Sequence, residues 1–103
     1  MDAEVKEITP EELQERINRG DKLQIIDVRE PHEWEEGHIP QATLIPLATL
    51  PVRLEELDKE TPIVMVCRSG ARSWNATAYV QQFGYQAENM AGGMLAWNGE
   101  VEK

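Results

Sequence analysis

The chain has 103 residues, 41% of them hydrophobic, and a single cysteine, which fits one domain around one core with no linker-like stretch dividing it. Ten Lys and Arg against nineteen Asp and Glu leave a net charge of −9, which argues against nucleic acid or an anionic membrane as partner. No apolar run is long enough to span a bilayer, the amino terminus MDAEVKEIT lacks the regions of a signal peptide, and one cysteine permits no internal disulfide. The expected location is therefore the cytoplasm. Nothing in the pattern fixes an oligomeric state.

In chain order, Glu4 to Ile8 reads as a short strand. Thr9-Pro10-Glu11-Glu12 then opens a helix, with Thr9 as N-cap, Pro10 at the first helical position and Glu12 closing a capping box. Leu13 and Ile17 face the core, and Gly20 ends the helix. Leu23 to Val28 is a second strand, leaving Asp27 near its carboxyl end. Pro31 to Glu36 suits a short helix before the Gly37-His38-Ile39-Pro40 turn, and Thr43 to Ile45 a third strand. Leu50, Leu54 and Leu57 recur at helical spacing, which predicts a third helix ending before Thr61-Pro62.

Ile63 to Val66 is an uninterrupted apolar run, the mark of a parallel strand covered on both faces. It delivers Cys67 into the turn Arg68-Ser69-Gly70-Ala71-Arg72, and from about Ser73 the pattern turns helical, with Ala76, Tyr79, Val80 and Phe83 as its apolar stripe and Gly84 as its stop. Gln86 to Met90 is a fifth strand, and Gly92-Gly93 leads into a closing helical turn from Met94 to Trp97. Strands alternating with helices at this spacing predict an α/β fold: a mainly parallel sheet between two helical layers, with ligands bound beyond the carboxyl ends of the strands. Cys67 and Asp27 both lie at such ends.

From Thr61 to Ala87 there is no Asp, Glu or Lys, and the only formal charges are Arg68 and Arg72. Burial of the sheet centre explains the missing acids but not the two arginines. A lone cysteine after an apolar strand is most often an inert small residue. Here, however, a thiol at a helix amino terminus, among backbone N–H groups and two guanidinium groups, has its thiolate stabilised, and the thiolate is the nucleophile. Gly70 lets the turn curl, Ser69 and Ser73 add hydroxyl donors, and Arg72 is placed to turn back over the loop, whereas Arg68 is free to point to solvent. Asp27 is read as support, orienting the cysteine loop or capping its own turn. Arg29 is read as a surface ion pair with Glu30, Glu33, Glu35 or Glu36. His32 and His38 lack the ligand spacing of H-E-x-x-H, so no metal and no cofactor is expected. Trp34, Trp74 and Trp97 are read as packing residues, with Trp74 beside the loop mouth.

Cys67-Arg68-Ser69-Gly70-Ala71-Arg72-Ser73, preceded by Ile25-Ile26-Asp27-Val28-Arg29-Glu30 and Gly37-His38-Ile39-Pro40 and followed by Gly92-Gly93 and Trp97, resembles the rhodanese-like sulfurtransferases over nearly the whole chain. The resemblance implies a five-stranded sheet of order 3-2-4-5-1 in a single rhodanese-like domain, residues 1–103, and an active-site loop from Cys67 to Arg72. It also implies that Cys67 takes a sulfane sulfur from a donor such as thiosulfate or a persulfide. The resulting persulfide then passes its outer sulfur to cyanide, a small thiol or a protein cysteine. One departure is Gln41, where the family usually has a second glycine, which bears on the shape of that turn. The physical reading agrees: loop N–H groups and Arg72 would hold the sulfonate oxygens of thiosulfate, and with no second cysteine the sulfur must leave to an outside acceptor.

Three alternatives compete with the transferase. A cysteine-dependent phosphatase or arsenate reductase uses a similar sheet and cradle, but cysteine phosphatases have five residues between cysteine and arginine, and that register falls here on Ser73. A non-catalytic rhodanese-like binding module commonly lacks the cysteine that this chain keeps. A redox sensor would need only an accessible thiol of low pKa.

Overall fold

Ile63–Val66 forms the centre of the molecule because each of its four side chains is apolar and none is exposed. In the computed structural model, which describes residues 4–103, this strand (β4) pairs in parallel with β2 (Gln24–Asp27) on one side and β5 (Ala87–Met90) on the other. β3 (Ala42–Leu44) and β1 (Lys6–Ile8) close the two edges, also in parallel. The order β1-β5-β4-β2-β3 is the expected 3-2-4-5-1 read from the other edge. Residues 1–3, part of the amino terminus read above as no signal peptide, lie outside the described residues.

Side chains alternate across β4, and the alternation divides the core. Ile63, Met65 and Cys67 pack with Ala76 and Val80 of α3 (Ala71–Gln81) and with Leu50 and Leu57. Val64 and Val66 face the opposite layer, where Leu13 of α1 (Pro10–Asn18) and Trp97 cover them. Cys67 therefore points toward the α3 face because it lies two residues beyond Met65. The α1 start follows its capping box: Thr9 Oγ1 accepts from Glu12 N–H at 3.0 Å, and Glu12 Oε1 accepts from Thr9 N–H at 2.9 Å. α2 (Pro31–Glu35) follows β2 at the carboxyl pole.

The stretch predicted as a third α-helix is instead two 3₁₀ turns, Leu47–Val52 and Leu54–Glu56. Pro51 lies inside the first turn and has no N–H to donate to Leu47, so i→i−4 bonding cannot continue through it. Short i→i−3 bonds replace it, such as Arg53 N–H to Leu50 O at 3.0 Å and Leu57 N–H to Leu54 O at 3.0 Å. The apolar spacing still seats Leu50 and Leu57 in the core. The closing turn is likewise 3₁₀, over Gly93–Ala96. Gln41 needs no special backbone, since among the described residues every positive φ is a glycine's, and the turn closes with Ala42 N–H donating to Ile39 O at 2.9 Å.

Candidate active site

The loop after β4 reverses direction at Gly70, whose φ of +103° is a conformation that L side chains rarely adopt, and a Cβ there would come within 3.2 Å of Gly92 N. Gly70 is also the N-cap of α3, which starts at Ala71, two residues before the predicted Ser73. Ser73 thereby becomes the third residue of the first helical turn, where backbone N–H groups have no partner inside the helix. The cysteine sulfur serves as that partner. Gly70 N–H donates to Cys67 Sγ at 3.1 Å and Ser73 Oγ lies 3.2 Å from it. Burial pushes the Cys67 thiol pKa up, but the Ser73 hydroxyl and the N–H groups of Ser73, Gly70 and Ser69 together bring it below the ordinary thiol value. The positive end of the α3 dipole acts in the same direction.

The Gly92-Gly93 turn holds the loop from beneath. Met94 N–H donates to Cys67 O at 2.8 Å and Leu95 N–H to Arg68 O at 3.0 Å, so the first two carbonyls of the loop are tied to the closing turn. A Cβ on Gly93 would lie 2.5 Å from the carbonyl carbon and oxygen of Arg68, at a φ of +59°. This site requires glycine for close approach as well as for its dihedral.

Arg72 reaches across to α2 instead of standing free over the loop. Its two terminal nitrogens each make a 2.8 Å bond to Glu33 of α2, a bidentate pair that holds the Glu33 carboxyl down at about 2. Arg68, by contrast, is exposed and makes no side-chain hydrogen bond or ion pair among the described residues. Arg29 is not the predicted surface ion pair. It is 5% exposed, and its guanidinium grips Asp27 through Nε at 2.9 Å and Nη2 at 2.7 Å while Nη2 also donates to Gly37 O at 2.9 Å. Of the acids expected to hold it, Glu33 and Glu35 lie on α2 and Glu30 and Glu36 cap its two ends. Asp27 accepts from an arginine, but that arginine is Arg29 of its own turn, and no bond from Asp27 reaches the cysteine loop. The support it lends is indirect: the Asp27–Arg29–Gly37 clasp seats α2, and α2 presents Glu33 to Arg72.

Ser73 is wholly buried, with its hydroxyl 3.2 Å from the sulfur, so the group predicted as a loop-surface donor is packed inside the protein. Its hydroxyl also reaches Asn89 Oδ1. Asn89 of β5 was not singled out in the sequence, although an amide in the middle of a buried strand is itself a signal, because its polar atoms need partners. Those partners are Glu7 Oε2 at 2.8 Å, Gly70 O at 3.1 Å and the Ser73 hydroxyl. Trp34 stacks on His38 with ring centroids 3.5 Å apart, and Trp97 packs on the α1 side, both as packing residues. Trp74, in the first turn of α3, is 40% exposed beside the loop.

A parallel α/β sheet with a thiol-bearing loop at the carboxyl end of its central strand defines a class of cysteine-loop α/β proteins. The model of the rhodanese-like domain matches residues 9–100, and the chain belongs to that family. YtwF of Bacillus subtilis, provisionally named a sulfurtransferase, is 44% identical over 99 residues, 96% of each chain. A sulfurtransferase of Allochromatium vinosum is 40% identical over 94 residues, 90% of this chain and 88% of its own. The crystal structure of a rhodanese-like domain protein from Staphylococcus aureus superposes with a TM-score of 0.90 at 38% identity, covering 95% of this chain and 97% of that one. These relatives support a sulfurtransferase-type activity.

Proposed function

We propose that Cys67 accepts a sulfane sulfur as a persulfide and passes it to a thiophilic acceptor. The observation that carries this reading is the convergence of Gly70 N–H and the Ser73 hydroxyl on Sγ, with the pKa of the thiol lowered despite burial. With thiosulfate, the Cys67 thiolate attacks the outer sulfur, the S–S bond of the donor breaks, and sulfite leaves with the electron pair. The negative charge then rests on the outer sulfur of the persulfide. A cyanide ion, small thiolate or protein cysteine attacks that sulfur, and Cys67 leaves as the thiolate, ready for another cycle. The loop N–H groups stabilise the anionic species on both sides of the exchange. The physiological donor is as readily a persulfide as thiosulfate in this scheme.

Arg68 is the unpaired cation at the rim and the better candidate to meet the donor's anionic group, because Glu33 offsets the charge of Arg72. This reverses the order expected from the sequence. A phosphatase finds less support: the sixth position after the cysteine is Ser73, buried beneath the sulfur, with no guanidinium there to bind phosphoryl oxygens. Intact mass after incubation with thiosulfate tests the proposal. The expected result is a gain of one sulfur atom in the wild-type chain and none in Cys67→Ala. No adduct with any sulfane donor would overturn it.

A further inference from the structure

Three side chains with chemistry to offer are sealed together beneath the loop: Cys67 is 1% exposed, and Ser73 and Asn89 are not exposed at all. The Ser73 hydroxyl is within hydrogen-bond reach of both Cys67 Sγ and Asn89 Oδ1. It has one proton, so it can donate to only one of them at a time. The Asn89 amide cannot rotate to change this. Its Nδ2 faces two obligate acceptors, Glu7 Oε2 and the Gly70 carbonyl, so Oδ1 must face Ser73 and can only accept.

We propose that the Ser73 hydroxyl is a two-position donor, turned to Sγ when that sulfur carries charge and to Asn89 Oδ1 when it does not, and that Asn89 is the positioning residue that maintains the second position. A thiolate is a strong, charge-assisted acceptor, whereas a thiol sulfur is a weak one. With the thiol, Ser73 donates to Asn89 and its oxygen lone pair takes the S–H. On the reading that Cys67 carries a persulfide, Sγ becomes a neutral bridging atom with the charge one sulfur further out, so the hydroxyl turns to Asn89 again. When the acceptor takes the outer sulfur, charge returns to Sγ and the hydroxyl returns with it. Without Asn89 Oδ1, the protonated and sulfur-carrying states would leave a buried hydroxyl proton without a partner. Asn89 therefore favours the uncharged Sγ and sets how strongly Cys67 holds its cargo.

Among the described residues, the charged groups around the thiol are Arg72, paired with Glu33 of α2, Arg68 at the rim, and Glu7 of β1 on the far side of Asn89. None donates a hydrogen bond to Sγ, so the two-position hydroxyl is separable from them by substitution. The test is thiolate absorbance of the full chain against pH, in the absence of sulfur donors, with the Cys67→Ala titration subtracted to remove the two tyrosines and leave the signal of the only cysteine. Ser73→Ala is expected to raise the midpoint by about one to two pH units, and Asn89→Ala to lower it by about half to one unit. In the Ser73→Ala background Asn89→Ala should have no effect, because it acts through that hydroxyl.

A merely structural role for Asn89, holding the loop through Gly70 O, predicts the opposite sign. A loosened loop loses N–H donors, and the midpoint would rise with or without Ser73. That result would overturn the proposal. The side-chain amide resonances of Asn89 in the wild-type chain give a reading that needs no variant of Asn89. They should shift with the thiolate midpoint, and fail to do so in Ser73→Ala; an Asn89 amide indifferent to the thiolate would also overturn it. Both measurements use sulfur-free protein, so a failure to form the persulfide by mass would sink the transferase reading while leaving the hydroxyl's two positions to stand or fall separately.

Discussion

At the scale of single residues, the two loop arginines differ in their partners, and on the proposed function their substitutions should separate. Arg68→Ala removes an exposed, unpaired cation, so we expect KM for thiosulfate to rise about threefold to tenfold with little change in kcat or stability, consistent with the modest worth of one screened charge. Arg72→Ala breaks the bidentate bond to Glu33 that docks the start of α3 on α2, so kcat should fall as well. Steady-state rates against thiosulfate decide between these patterns, and equal KM effects would mean that both guanidinium groups meet the donor. Asp27→Ala leaves the Arg29 guanidinium buried without its carboxylate. Losing one partner of a buried pair costs about 3–5 kcal/mol, and a smaller loss in denaturant unfolding would show that Arg29 finds water instead.

Among elements, the closing turn matters out of proportion to its length. Gly93→Ala sets a methyl against the Arg68 carbonyl at a φ that disfavours it, and the loop lies on the other side of that contact. We expect a loss of about 2–5 kcal/mol by denaturant unfolding and a raised thiolate midpoint as the cradle opens. Stability within about 0.5 kcal/mol of wild type would show that the turn can move aside. The two 3₁₀ turns of residues 47–56 carry the complementary lesson. Their leucines face the core at the positions the spacing predicted, but helical spacing reports which residues are buried, and the hydrogen-bond pattern was decided by a missing N–H at Pro51.

For the whole molecule, charge acts at two ranges. Glu33 titrates near 2 in the folded chain and near its ordinary 4.5 when unfolded, so its pair with Arg72 contributes above about pH 4.5 and the contribution fades as pH falls toward 2. Arg72 is 37% exposed, so solvent screening limits this to about 1 kcal/mol or less. Glu33→Gln should therefore flatten the acid limb of the stability curve and leave stability between pH 6 and 8 lowered by a constant amount of about that size. At longer range, the net charge of −9 opposes the approach of a free dianion. The rate with thiosulfate should rise as salt is added at low ionic strength, and a flat or falling rate would mean that Arg68 governs the local field.

Local and periodic features were legible without coordinates: the capping box at Thr9, the buried run before Cys67, the glycine-bearing loop, and through the family motifs the order of the sheet. Each depends on neighbours in the chain or on a pattern repeated along it. The partners of the charged and polar groups around the cysteine loop were not legible. Arg29 turned inward to Asp27 of its own turn because that end of the sheet is buried, whereas Arg72 turned across to Glu33 and Ser73 down to Asn89, sixteen residues away, because parallel crossovers bring distant segments together at the carboxyl pole. The amino-acid sequence determined that one cysteine stands at the end of the central strand, in a glycine-bearing loop that opens a helix. Only the tertiary structure decided which groups surround its sulfur, since a hydrogen-bond partner is chosen by distance and burial in space rather than by separation along the chain.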